Sequence, residues 1–180
     1  AEHVPLTISD QRGIEGALLS LPAISEAAWY AEGTNLNAAQ GDPPYTPRAA
    51  LVGNTRETLV LWSIPPSGEL LEWLAATSRA RTIIVCGRTT HDDQAQAVVR
   101  AVAEMCNYAI SRNISADVGR MAARIGSTEA VVRQALLWLD RRGEISVEGW
   151  QRADGVRLRR GSGLPSDGEA REVEARLHEL

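Results

Sequence analysis

The chain has no lysine and no phenylalanine, and all nineteen of its basic side chains are arginine. That absence matches a GC-rich coding bias better than any chemical demand, so the number of arginines alone carries no message. Cysteine is nearly missing as well: Cys86 and Cys106 lie in apolar stretches with no second pair near either. This excludes a disulfide framework and a zinc site, and it reads as two reduced core thiols of a cytosolic protein. There is no internal repeat and no run apolar enough for a transmembrane helix or a secretory leader. No glycine-rich phosphate cradle is present, and no nucleophile stands beside a base.

What the chain does have is an uneven charge. Residues 1–90 hold six Arg against nine Asp and Glu, residues 91–163 eleven against nine, and residues 164–180 two against five. Only the middle block is basic, and within 111–160 the balance is ten against six, a patch too modest for a chain built around a polyanion. A length of 180 residues suffices for a real core and for more than one compact unit. The first residue is alanine, which points to a piece excised from a longer protein.

Four short apolar runs punctuate the first half: Val4 to Ser9, Ala27 to Ala31, Thr58 to Ile64 and Thr82 to Cys86. The last two are apolar on both faces, as strands of a covered parallel sheet are. Between them Pro65 and Pro66 end a strand, and Ser67 opens a helix carrying Leu70, Leu71, Trp73 and Leu74. The pattern predicts a βαβ unit with a right-handed crossover. Ile14 to Leu21 reads as a similar helix, and Gly33 to Pro47 as an exposed loop. A long helix from about Asp93 to Arg112 follows, with Val98, Val102, Met105 and Ala109 on one face and a boundary near Asn113.

The second half is organised around Gly126. It sits between one apolar-periodic run (Val118, Met121, Ala122, Ile125) and another (Val132, Ala135, Leu136, Leu139). Glycine tolerates the left-handed backbone that ends a helix, and Ser127 is placed to cap the next. Ala122, four residues before the glycine, lets two helices cross closely, and Val132, six after it, plugs the angle between them. That spacing predicts a helix-turn-helix. The second helix runs to Arg142 and stops at Gly143; Glu144 to Glu148, a turn around Ala153 to Gly155, and Val156 to Arg160 then read as a wing. Gly161 to Gly168 is a linker, and Glu169 to Leu180 an acidic helix with Val173, Leu177 and Leu180 as a docking stripe. The expected architecture is α/β: a small parallel-sheet βαβ (Rossmann-like) layer followed by a winged helix-turn-helix. Its parts are an α/β domain with a connecting helix over 1–112, the winged helix over 113–161, and a linker with an acidic helix over 162–180.

The segment LVLWSIPPSGELLEWLAATSRARTIIVCGR, then a long helix, then ISADVGRMAARIGSTEAVVRQALLWLDRRGEI, resembles the C-terminal region of bacterial RecJ-type single-strand-specific exonucleases. The N-terminal TISDQRG and AAWYAEG are similar to how that region begins, so the resemblance spans residues 4 to 148. It implies a fragment of an enzyme that degrades single-stranded DNA from the 5′ end in recombination and repair. The family's manganese or magnesium is held by Asp and His clusters, including an Asp-His-His motif, in separate upstream domains. Here Thr90-His91-Asp92-Asp93 has the wrong order and no companion clusters, so no catalytic residue, metal ligand or cofactor is carried over.

Candidate contact residues come from the second half. Arg133 and Gln134 face away from the apolar stripe of their helix and suit base edges or phosphates. Glu129 and Leu137 beside them do not, and Val131, Ala135 and Trp138 form a second apolar stripe. Arg152, Arg157, Arg159 and Arg160 cluster in the wing, with Arg141 and Arg142 close in sequence, and can track phosphates without reading sequence. The plainer alternative is a solvated strand face with ordinary ion pairs. Trp150 reads either as a stacking surface for an unpaired base or as a packed aromatic.

Carboxylates also fall after strands, where open α/β sheets place their sites: Asp10 and Arg12, Glu32 and Gly33, then Arg88, His91, Asp92 and Asp93. Ala31-Glu32-Gly33 with a later acidic pair has a toprim-like look, which would hold magnesium for phosphoryl transfer, but that fold wants Asp-x-Asp and these aspartates are adjacent. The reading is therefore a non-catalytic accessory region that holds single-stranded DNA or a repair partner near a nuclease core, in the cytoplasm and away from membranes. A free-standing winged-helix adaptor or regulator is the main alternative, and a metal-dependent phosphoryl-transfer domain the third.

Overall fold

Four of the apolar runs become one parallel sheet. In the computed structural model, which describes residues 6–12, 21–23, 25–33, 36, 43–88, 95–151 and 155–163, its strands are β1 (Thr7–Asp10), β2 (Ala28–Tyr30), β3 (Thr58–Ser63) and β4 (Thr82–Arg88). They lie in the order β1-β4-β3-β2, every neighbouring pair parallel. Helix α1 (Gly68–Ser78) joins β3 to β4, and the Ser67 hydroxyl accepts from the Leu70 N–H at 3.2 Å to start it.

Strand side chains alternate, so β2, β3 and β4 each feed two cores, while β1 at the sheet edge stays largely exposed. On one face Tyr30, Leu59, Leu61 and Ile83 pack with Leu70 and Leu74 of α1; on the other lie Trp29, Ala31, Val60, Trp62 and Cys86. Trp29 pairs across from Val60, which places it diagonal to Trp62, and the two indoles meet with centroids 6.0 Å apart. Dual burial is why these strands show near-continuous apolar runs. The helix expected over Ile14 to Leu21 lies, save its last residue, outside the described residues.

The expected exposed loop after Gly33 is corrected at its end. Thr46 and Ala31 exchange two backbone hydrogen bonds of 2.9 and 3.0 Å, Pro43 is buried, and a short 3₁₀ turn at Arg48–Leu51 buries Leu51 completely. β2 has β3 on one side only, and an open strand edge takes whatever backbone can pair with it.

The chain divides between His91 and Asp92. The second unit contains α2 (Ala95–Arg112), β5 (Ala116–Asp117), α3 (Val118–Ile125), α4 (Glu129–Arg141), β6 (Ile145–Trp150) and β7 (Gly155–Arg160), with an antiparallel sheet in the order β5-β7-β6. Its single core takes Val102, Cys106 and Ala109 from α2, Met121, Ala122 and Ile125 from α3, Val132, Leu136 and Leu139 from α4, and Ile145, Val156 and Leu158 from the hairpin. The sequence reading assigns α2 to the first domain; its buried face instead belongs to this core, so the division falls before the helix rather than at Asn113.

All three helices end alike. At Asn113, Gly126 and Gly143 the backbone turns left-handed, and the next residue's N–H returns to a carbonyl five residues back: Ile114 to Ala109, Ser127 to Ala122, Glu144 to Leu139, at 2.9–3.0 Å. Ser127 is thus spent on closing α3, and Thr128, not Ser127, caps α4 by accepting from Val131 N–H at 3.4 Å. Strand β5, two residues long, is too short to leave a pattern in the sequence. Among the described residues no helix is long and apolar enough to cross a membrane. The linker beyond Gly163 and the acidic helix over Glu169 to Leu180 lie outside the described residues.

Candidate nucleic-acid interface

The predicted arginines do not converge on one patch. Backbone alternation divides them: in β7, Val156 and Leu158 point into the core, so Arg157 and Arg159 point out from the opposite side of the sheet. Arg159 pairs with Glu148 at 2.5 Å, whereas Arg157 is exposed and has no carboxylate partner among the described residues. Arg160, at the base of the hairpin opposite Ile145, opens instead onto a groove of about 400 Å³ with Asn107, Glu144 and Ser162. Arg152 lies outside the described residues.

Helix α4 contributes two clusters at its two ends. Near the C-terminus, the Arg142 guanidinium sits 4.6 Å from the Trp138 ring centroid while its Nε donates to Glu144 at 3.0 Å, and Arg141 is half-buried nearby. The Asp140 carboxylate accepts from the Val147 N–H at 3.0 Å, tying the free edge of β6 to the helix. Toward the N-terminus, Arg133 lies 5.0 Å from the Trp150 ring centroid and pairs with Glu129 one turn earlier at 3.9 Å. Gln134 is half-buried.

The sequence reading treats Arg133 as a helix residue and Trp150 as a neighbour of the wing, and tertiary packing makes them one pair. Trp150 is directly opposite Val156, so it lies on the helix side of the hairpin, at its far end, where it stays 43% exposed. The next residue is held from two sides: Gln151 N–H donates to the Gly155 carbonyl at 2.7 Å, and the Ser115 hydroxyl donates to the Gln151 side chain at 3.1 Å.

Carboxylates at the strand ends of the first unit are committed to arginines. Glu32, fully buried at the end of β2, receives Arg48 Nε and Nη2 at 2.9 and 2.6 Å, the Arg48 backbone N–H at 2.6 Å and the Tyr30 hydroxyl at 2.9 Å. Burial and the adjacent Glu32 charge push the Tyr30 phenol well above its ordinary range, so it remains a donor. Asp10, exposed, is held at about 2 by hydrogen bonds from Arg12. Occupied in this way, neither carboxylate fits a metal-ligand role, and among the described residues no three His, Cys, Asp or Glu side chains converge as a metal site. His91, Asp92 and Asp93 lie outside the described residues. Arg48 escapes a reading by sequence motif because it is sixteen residues from its partner; a buried Glu at a strand end with no charge near it in sequence is the available clue.

Neither cysteine is in a disulfide; both are buried, one in each unit, and burial pushes the Cys106 thiol up to about 12. No family model, curated protein or solved structure matches the chain.

Proposed function

We propose that the second unit is a winged helix serving as a non-catalytic, nucleic-acid-contacting accessory module of a single-strand-specific 5′ to 3′ DNA exonuclease. The order α2-β5-α3-α4-β6-β7 with sheet order β5-β7-β6 supports the winged-helix assignment. One observation carries the contact reading: the solvent side of the hairpin presents Arg157 with no opposing carboxylate among the described residues, in the one segment of the chain with an arginine excess. Exposed guanidiniums bind phosphate oxygens through a planar fork and do not need a defined base sequence. The nuclease context rests on the resemblance over residues 4 to 148, and the manganese or magnesium of such an enzyme belongs to its other domains.

The test is fluorescence anisotropy of the whole chain with labelled single- and double-stranded oligonucleotides over a salt series. Binding is expected to weaken with salt, and Arg157→Ala should lower the slope of log K against log salt by about 0.7, the contribution of one lost single-strand phosphate contact. Absence of salt-sensitive binding refutes the reading.

A second reading, a docking adaptor, draws on α4 itself. Ala130 is its one exposed position, and Leu137, Val131 and Trp138 are half-buried, a surface more apolar than a groove-reading helix needs. It gains if the salt series shows no binding.

A further inference from the structure

We infer that Trp150, backed by Arg133, is a stacking platform for one unpaired base, so that the second unit takes single-stranded nucleic acid through a base face as well as through phosphates. This rests on the nucleic-acid reading above and adds a mode and a strand preference to it. Indole is a costly group to leave in water; Trp29 and Trp62 are buried, while Trp73 at 40% and Trp150 at 43% are exposed, and of these two Trp150 has a guanidinium against its ring. Trp150 stays exposed: its register opposite Val156 aims it to the helix side, and at the end of β6 the Arg133 guanidinium lies 5.0 Å from its ring centroid.

The Arg133 guanidinium sits against the indole, Glu129 holds it from one helical turn away, and part of Trp150 stays open to solvent. Gln151, the residue after Trp150, is hydrogen-bonded to both Gly155 and Ser115. A cation against an indole is complementary to a base lying on the ring and to the phosphate attached to it. In a duplex the base faces are already stacked on one another, so only an unpaired base can use the platform.

The experiment compares three fluorescent ligands of equal length on the whole chain by anisotropy: an oligo-dT strand, a strand of abasic spacers with the same phosphates, and a duplex. The expected result is dT bound about 5- to 150-fold more tightly than the abasic strand, the range set by stacking of one base. Trp150→Ala should abolish that ratio while leaving abasic-strand affinity unchanged, and Trp150→Phe should restore most of it. Equal affinity of the parent chain for dT and abasic strands overturns the proposal without any variant, as does a dT preference that survives Trp150→Ala. If all three ligands bind with equal affinity and weaken together with salt, the platform fails and phosphate contact stands; if none binds at low salt, both fall.

Discussion

Removing the Arg48 side chain should unfold the first unit more readily than any other single surface-reaching truncation in it. Three hydrogen bonds to the Glu32 carboxylate come from the Arg48 guanidinium; those from the Arg48 backbone N–H and the Tyr30 hydroxyl remain in Arg48→Ala. Breaking a buried ion pair by removing one partner costs about 3–5 kcal/mol, because a charge is left in a low-dielectric site. Two surviving donors and the 19% exposure of Arg48, which admits water once the side chain is gone, place the expected loss near the lower end, about 3 kcal/mol. For a unit of this size that is a large share of the total stability and corresponds to a fall in melting temperature of roughly 12–24 °C. Urea unfolding followed by hydrogen exchange with mass spectrometry reads it directly. Peptides from β2 and β3 should lose protection while those from α3 and α4, which belong to a separate core, keep theirs. The double variant Glu32→Gln with Arg48→Ala should be more stable than Arg48→Ala alone, since the uncompensated charge is gone. A loss below about 1 kcal/mol in Arg48→Ala, or no recovery in the double variant, would refute the argument that a buried charge is what Arg48 neutralises.

Gly161→Ala tests a close approach rather than a backbone conformation: a Cβ there would lie 2.0 Å from the Gly143 carbonyl oxygen, where Gly161 and Gly163 donate to the Glu144 and Gly143 carbonyls. The chain must lift off the turn after α4, at a cost of about 1–3 kcal/mol, seen as a lower urea midpoint; an unchanged midpoint contradicts the approach. Asp10 should titrate at about 2 by carboxyl NMR and return toward its ordinary 3.8 in Arg12→Ala. Because the folded value is depressed, whatever stability the pair adds is present above the ordinary value and is lost as pH falls through about 2. The pair is fully exposed, so added salt should shrink the shift, and a titration indifferent to Arg12→Ala would rule out the pairing.

Much of the second unit was legible because helix signals are local. Gly126 and Gly143 mark the left-handed stops, the periodic apolar residues from Val118 to Leu139 are the ones buried, and Val132 sits in the core where its spacing put it. What was misread is local only in appearance. Ser127 and Thr128 are both able to cap a helix, and which one does so depends on whether the preceding turn has already claimed a backbone N–H. The predicted exposed loop ends instead as a partner for β2, because the sequence does not say which strand is left with an open edge.

The sequence by itself determined the two-faced burial of β3 and β4, the helix boundaries around Gly126 and Gly143, and the arginine excess of the second half, because each is written in neighbouring residues. Only the tertiary structure decided which arginines are free to act. It turned Arg157 outward, set Arg142 on Trp138, spent Arg48 on Glu32 and brought Arg133 to Trp150 across seventeen positions of chain. The reason is physical: periodicity fixes which way a side chain leaves its own strand or helix, but its partner is set by how those elements pack.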